Sequence, residues 1–247
     1  MNKKWLLPFA VATMAFTLAA CQEKTQEEEE VVTEAEEHDH SHDHDDDHNH
    51  DHDDNHHGHD HGELSEKDKQ ISKGYFEDSD ITDRPLTNWQ GEWQSVYPYL
   101  LDGTLDGVLK HKAYHGDKTA EEYKEYYKIG YATDVTQIDI TENTMTFYID
   151  GQAVIGTYEY DGFEILTYEK GNRGVRYIFK QTDEHSQAPK YVQFSDHIIS
   201  DKTAGHFHIY FGDDRAKLLE EMDNWPTYYP KAMSGEDIAD EMDAHLH

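Results

Sequence analysis

Alternation of apolar and polar positions is concentrated between residues 131 and 211, where short runs rich in Val, Ile, Tyr and Phe follow one another at strand length. The runs are Val135–Ile140, 145–149, 154–160, 163–168 and 175–179, and three of their breaks are Asp150-Gly151, Asp161-Gly162 and Gly171-Asn172. Asp-Gly tolerates the positive φ angles of a two-residue hairpin, so the pattern predicts serially joined antiparallel strands. Two more strands are predicted over 191–196 and 206–211. A meander of this length removes its edges by closing on itself, so the predicted fold is mainly β, an antiparallel barrel with flanking helices. Ser65-Glu66-Lys67-Asp68 and Thr119-Ala120-Glu121-Glu122 have the form of helix-starting capping boxes, and the second helix is predicted to end near Gly130. Helical spacing also marks 213–224 and 236–242. Tyr123, Tyr126 and Tyr127 share that spacing and read as packing residues, as do Trp89, Trp93 and Trp225.

The chain ahead of residue 63 follows other rules. Lys3 and Lys4 precede an uncharged, largely apolar stretch over 5–20. It is shorter than the roughly 20 residues a membrane span needs, and it reads as a secretory signal. It ends in Leu18-Ala19-Ala20-Cys21, which resembles a bacterial lipobox, in which the cysteine is lipidated and becomes the mature N-terminus. Residues 21–62 then form an acidic, His-rich segment read as a disordered tether, because 38–61 hold no apolar residue that could offset the entropy of ordering. From His38 to His61, 24 positions hold 11 His and 9 Asp. The folded domain is assigned to 63–247.

Charge narrows the function. The 247 residues include 53 Asp and Glu against 21 Lys and Arg, a formal net charge of −32, with a mean hydropathy of −0.96. Such a surface repels a phosphate backbone, which argues against nucleic acid as a partner, and it repels anionic lipid. A single cysteine excludes a disulfide framework and a cysteine-based zinc finger.

Histidine supplies the candidate chemistry, because neutral imidazole is a good ligand for zinc. The tail histidines, His38, His40, His42, His44, His48, His50, His52, His56, His57, His59 and His61, alternate with Asp and offer many interchangeable ligand sets without preformed geometry. Several weak sites are expected there. A sharper set lies in the domain. In a strand, His206 and His208 face one side while Phe207 and Ile209 face the other. His197 closes the preceding predicted strand, and an antiparallel return sets it beside the pair. Three imidazoles with a fourth position open form a zinc-type set. Water, a tail histidine, a neighbouring molecule's carboxylate or the terminal His245 and His247 are candidates for that position. His111, His115 and His185 read as surface residues.

Several segments carry a family resemblance. They are Trp89-Gln90-Gly91-Glu92-Trp93-Gln94-Ser95-Val96-Tyr97-Pro98, Gly130-Tyr131-Ala132-Thr133-Asp134, Gly174-Val175-Arg176-Tyr177, the stretch from Ala188 to His197, His206-Phe207-His208-Ile209, and the stretch from Glu221 to Pro230. Together they span nearly all of 63–247, and they are similar to the ZinT family of secreted zinc-binding proteins. The resemblance implies a calycin-like, lipocalin-type barrel. It also implies that His197, His206 and His208 bind zinc, or cadmium when that ion is present. Members of the family carry His-rich N-terminal stretches, and some are fused to the binding protein of a zinc ABC importer. The expected function is therefore an extracytoplasmic zinc-binding lipoprotein, periplasmic or at the cell surface, anchored through Cys21. It captures scarce zinc and supplies it to the importer's substrate-binding protein. Three histidines and a water would also suit a zinc hydrolase or hydratase, but no motif supplies an oriented base. An apolar-ligand carrier using the barrel interior is a third reading.

Overall fold

The structure, a computed structural model, describes residues 65–247 apart from 169, 170, 221, 246 and 247. All of these lie in one compact unit, Gly58–His247. The signal, the Cys21 site, the acidic tail with its histidines, and His247 lie outside the described residues.

Eight antiparallel strands close into a barrel: β1 (Gly91–Ser95), β2 (Val135–Ile140), β3 (Thr144–Ile149), β4 (Gln152–Thr167), β5 (Arg173–Gln181), β6 (Tyr191–Ser195), β7 (Phe207–Gly212) and β8 (Thr227–Pro230). Each pairs with the next, and β8 returns to β1 through Trp93 opposite Pro230. Five helices flank it: α1 (Glu66–Ser72), α2 (Tyr97–Asp102), α3 (Asp106–His115), α4 (Ala120–Gly130) and α5 (Gly235–Ala244). The predicted caps on α1 and α4 form as expected: Ser65 accepts the N–H of Asp68, and Thr119 that of Glu122.

Two expectations need correction. Asp161-Gly162 is no hairpin turn. The predicted strands 154–160 and 163–168 are one 16-residue strand, β4, with a register irregularity between Tyr160 and Phe163 and Gly162 at φ 90°. A left-handed glycine serves a bulge as readily as a turn, and here the ladder to β5 continues on both sides. Residues 213–224 form no long helix, only a turn of 3-10 helix over Lys217–Leu219. The Asp214 carboxylate accepts the N–H groups of Ala216 and Lys217, while Arg215 is held by Asp161 and Glu164 of β4. Local side-chain bonds of this kind compete with helix formation. Strands β1 and β8, and helices α2 and α3, carry no periodic signal strong enough to have been anticipated.

Two cores result. Inside the barrel, Trp89 is fully buried, stacked on Phe194 at 4.5 Å and edge-on to Phe179 at 5.8 Å, while Phe207, Ile209 and Tyr228 fill the adjoining space. This aromatic packing occupies the volume that an apolar-ligand carrier would leave for its cargo. Outside the barrel, Leu100, Leu105, Leu109, Tyr123, Tyr229 and Ile238 join the helices to the outer face of the sheet. Tyr126 differs from its neighbours in being about half exposed, at 49%. Among the described residues no helix is long and apolar enough to cross a membrane.

Candidate metal centre

Strand alternation fixes the first ligand. Phe207 and Ile209 are buried inside the barrel, so His208 projects from the outer face, where it pairs in register with Ser195 of β6 and Thr227 of β8. His206 lies one residue ahead of β7 rather than within it. His197 likewise lies beyond its strand: β6 ends at Ser195, and His197 adopts the left-handed conformation at φ 63°. That region is uncommon for a non-glycine residue, and its surroundings hold it there. Asp196, fully buried, receives Arg84 Nη1 at 2.6 Å and the Ile198 N–H at 3.2 Å. Arg84 also donates to the carbonyls of Ile198 and Lys202 and to Asn88 Oδ1. One guanidinium thus pins both flanks of His197.

The three rings are neighbours, although among the described residues the set whose ligand atoms all come within 4.8 Å of one another is His206, Glu241 and His245 and not this trio. The centroids of the three rings are 5.5 Å (His197 to His208), 6.1 Å (His206 to His208) and 6.4 Å (His197 to His206) apart. A zinc ion about 2.0–2.1 Å from each ring nitrogen would lie about 3.2 Å from each centroid, which sets imidazole centroids roughly 5–6 Å apart. The His197–His208 separation falls inside that range, and the two separations to His206 exceed it, so the ring of His206 must move in for all three nitrogens to meet one ion.

Hydrogen bonding prepares the nitrogens. Thr227 Oγ1 donates to the Trp225 carbonyl at 3.0 Å, so in its 2.7 Å contact with His208 Nδ1 it must accept. His208 therefore carries its proton on Nδ1 and presents a bare Nε2. His206 Nδ1 lies 3.0 Å from Glu241 Oε1, and the ring stacks on Tyr229 at 5.1 Å. Glu241 and His245 sit four residues apart on α5, and His245 Nε2 reaches the same carboxylate oxygen at 3.1 Å. Ligand atoms of His206, Glu241 and His245 lie within 4.8 Å of one another, a second way for this rim to hold a cation. Burial resists ionisation of Glu241, but hydrogen bonds from His206 and His245 outweigh it and hold the carboxyl well below its ordinary range. Burial, then the neighbouring His197 and His206, pushes His208 well below the usual imidazole value. His197 moves the same way, through desolvation and His206, although its edge remains exposed.

Glu241, Thr227 and Arg84 escaped the sequence reading. For Glu241 the available signal was its i,i+4 relation to His245 on a capped helix. Thr227→Val removes the acceptor that fixes the His208 tautomer while keeping the side chain's shape. Zinc affinity of the domain is expected to fall about 10–100-fold, the usual cost of losing such a supporting hydrogen bond, as read by competition with a chelating dye.

The protein-family model described as ZinT (YodA), periplasmic, lipocalin-like, zinc-recruitment, matches residues 67–245. The chain belongs to the ZinT family. ZinT relatives include the probable metal-binding protein YrpE of Bacillus subtilis, 58% identical over 181 residues and covering 73% of this chain and 72% of that protein. The zinc-binding lipoprotein AdcA of Streptococcus pneumoniae is 55% identical over 185 residues, covering 74% of this chain but 37% of its own length. The crystal structure of the Zn(II)-bound ZinT-like domain of that AdcA superposes with a TM-score of 0.68 at 55% identity, covering 72% of this chain and 98% of the domain. This ZinT chain therefore corresponds to about a third of AdcA, the ZinT-like part.

Proposed function

We propose that this protein captures zinc outside the cytoplasm on His197, His206 and His208 and passes it to the substrate-binding protein of a zinc importer. The observation that supports the reading is the proximity of three imidazole rings, 5.5–6.4 Å between centroids, with Thr227 against Nδ1 of His208. Cadmium, with similar ligand preferences, is a second ion for the same set. Zinc-bound and zinc-binding relatives support the choice of metal, and AdcA, a lipoprotein, supports an anchor at Cys21. The Asp196 carboxylate, adjacent in sequence to a ligand, is committed to Arg84, which favours a carrier over a hydrolytic site.

An ion held by three ligands is open to attack by a partner's ligands at its remaining position, so exchange needs no prior dissociation. The acidic tail has a place in this scheme. Were residues 22–62 an unstructured chain, they would span about 32–38 Å and offer histidine ligands at an effective concentration on the order of mM. When the zinc-loaded protein is mixed with the metal-free binding protein of a zinc importer, zinc is expected to appear on the acceptor faster than it dissociates into a chelator. Deleting 22–62 is expected to slow reloading of the rim. Transfer no faster than dissociation would refute the carrier reading, and an unchanged reloading rate would refute the role of the tail.

A further inference from the structure

Helix α3 presents a second pair of imidazoles. Its buried residues are Val108 and Leu109, and its exposed end carries His111 and His115, spaced i and i+4 and therefore stacked on one side of the helix. Their ring centroids are 5.1 Å apart, inclined at 66°, a separation at which one cation meets both. His111 is not the plain surface residue its sequence context predicts. It is half-buried where α3 packs on α5, with Nδ1 2.6 Å from Asp243 Oδ1. A carboxylate on Nδ1 is the arrangement that turns Nε2 of a histidine toward a metal and raises its basicity. Tyr114 lies edge-on to His115 at 4.9 Å. Asp243 is separated from Glu241 by two helical positions, so the two carboxylates point from different sides of α5, one to α3 and the other to His206.

We propose that His111 and His115 form a second, helix-borne site for a divalent late first-row cation, with Asp243 positioning His111. Two histidines one helical turn apart supply the same nitrogen pair that zinc takes from helices elsewhere, and the remaining positions stay open to water. The site binds more weakly than the barrel rim because it offers two nitrogens instead of three. It depends on none of the rim residues.

Histidine ring nitrogens in the full chain, followed by NMR during titration with zinc chloride, test the assignment. His111 and His115 are expected to shift together along one binding curve, after the rim histidines. His115→Ala is expected to abolish the zinc response of His111, and His111→Ala that of His115. Asp243→Asn is expected to weaken the shared curve about tenfold while leaving both shifts in place. In the variant lacking His197, His206 and His208 the curve is expected to persist, which separates this site from the rim. Independent curves for the two rings, or a His111 response that survives His115→Ala, would overturn the site. An unchanged midpoint in Asp243→Asn would overturn the positioning role.

Discussion

Changing His197, His206 and His208 together to alanine is expected to remove the tight zinc site and leave only weaker binding, that of the tail and of the His111–His115 pair. Zinc held by a full set of protein ligands is worth about 10–16 kcal/mol, or roughly 3 kcal/mol per ligand, so each single substitution should weaken binding by about 100-fold or more. Among the singles, His208→Ala should cost most, because Thr227 has already fixed its tautomer and its strand has fixed its position. Acid should act in the same direction but on a shifted scale. An imidazole binds zinc only when neutral, and burial together with the adjoining rings holds His208 well below the ordinary value near 6.5. His208 therefore resists proton competition to lower pH than an ordinary imidazole does. Lowering the pH from 7.5 to 5.5 is expected to strip zinc from the tail first and to weaken the rim afterwards. A triple variant that still binds one zinc as tightly as the parent would end the assignment of these residues.

Removing Arg84 is expected to produce a large loss of stability. Arg84 and Asp196 form an ion pair with both side chains fully excluded from solvent. Deleting one member of such a pair leaves the other charge uncompensated and costs about 3–5 kcal/mol. In a domain of this size that corresponds to a fall in Tm of roughly 6–20 °C. Arg84→Met also frees the carbonyls of Ile198 and Lys202, so the loop that carries His197 loses its tie on both sides. Adding Asp196→Leu should recover much of the thermal stability, since a buried pair replaced whole is often neutral. It should not recover zinc affinity, because the bonds of Arg84 and Asp196 that brace both flanks of His197 at φ 63° are then lost. Thermal melts and zinc titrations of the single and double variants separate these effects. A single variant that melts with the parent would show the pair to be dispensable.

What could be read in advance follows from distance along the chain. The strands β2, β3, β5, β6 and β7 are legible because period-two alternation is a local property, and the proximity of His197, His206 and His208 is legible because β6 returns to β7 over a short connection. The bulge at Gly162 was mistaken for a turn because left-handed glycine serves both, and only pairing with β5 decides between them. The supporting shell was illegible for a different reason. Arg84 meets Asp196 across 112 positions, His206 meets Glu241 across 35, and His208 meets Thr227 across 19. No periodicity joins such residues until the barrel closes.

The solid interior of the barrel has a consequence for traffic. Lipocalin-type containers that store a guest inside must breathe to release it, so their off-rates answer to wall motion. Here the lumen is plugged by Trp89, Phe194 and Phe207, and the imidazoles sit on the outer wall. Delivery is then governed by how readily an incoming donor atom can displace a nitrogen, a matter of surface approach and coordination kinetics, and the scaffold can stay rigid throughout.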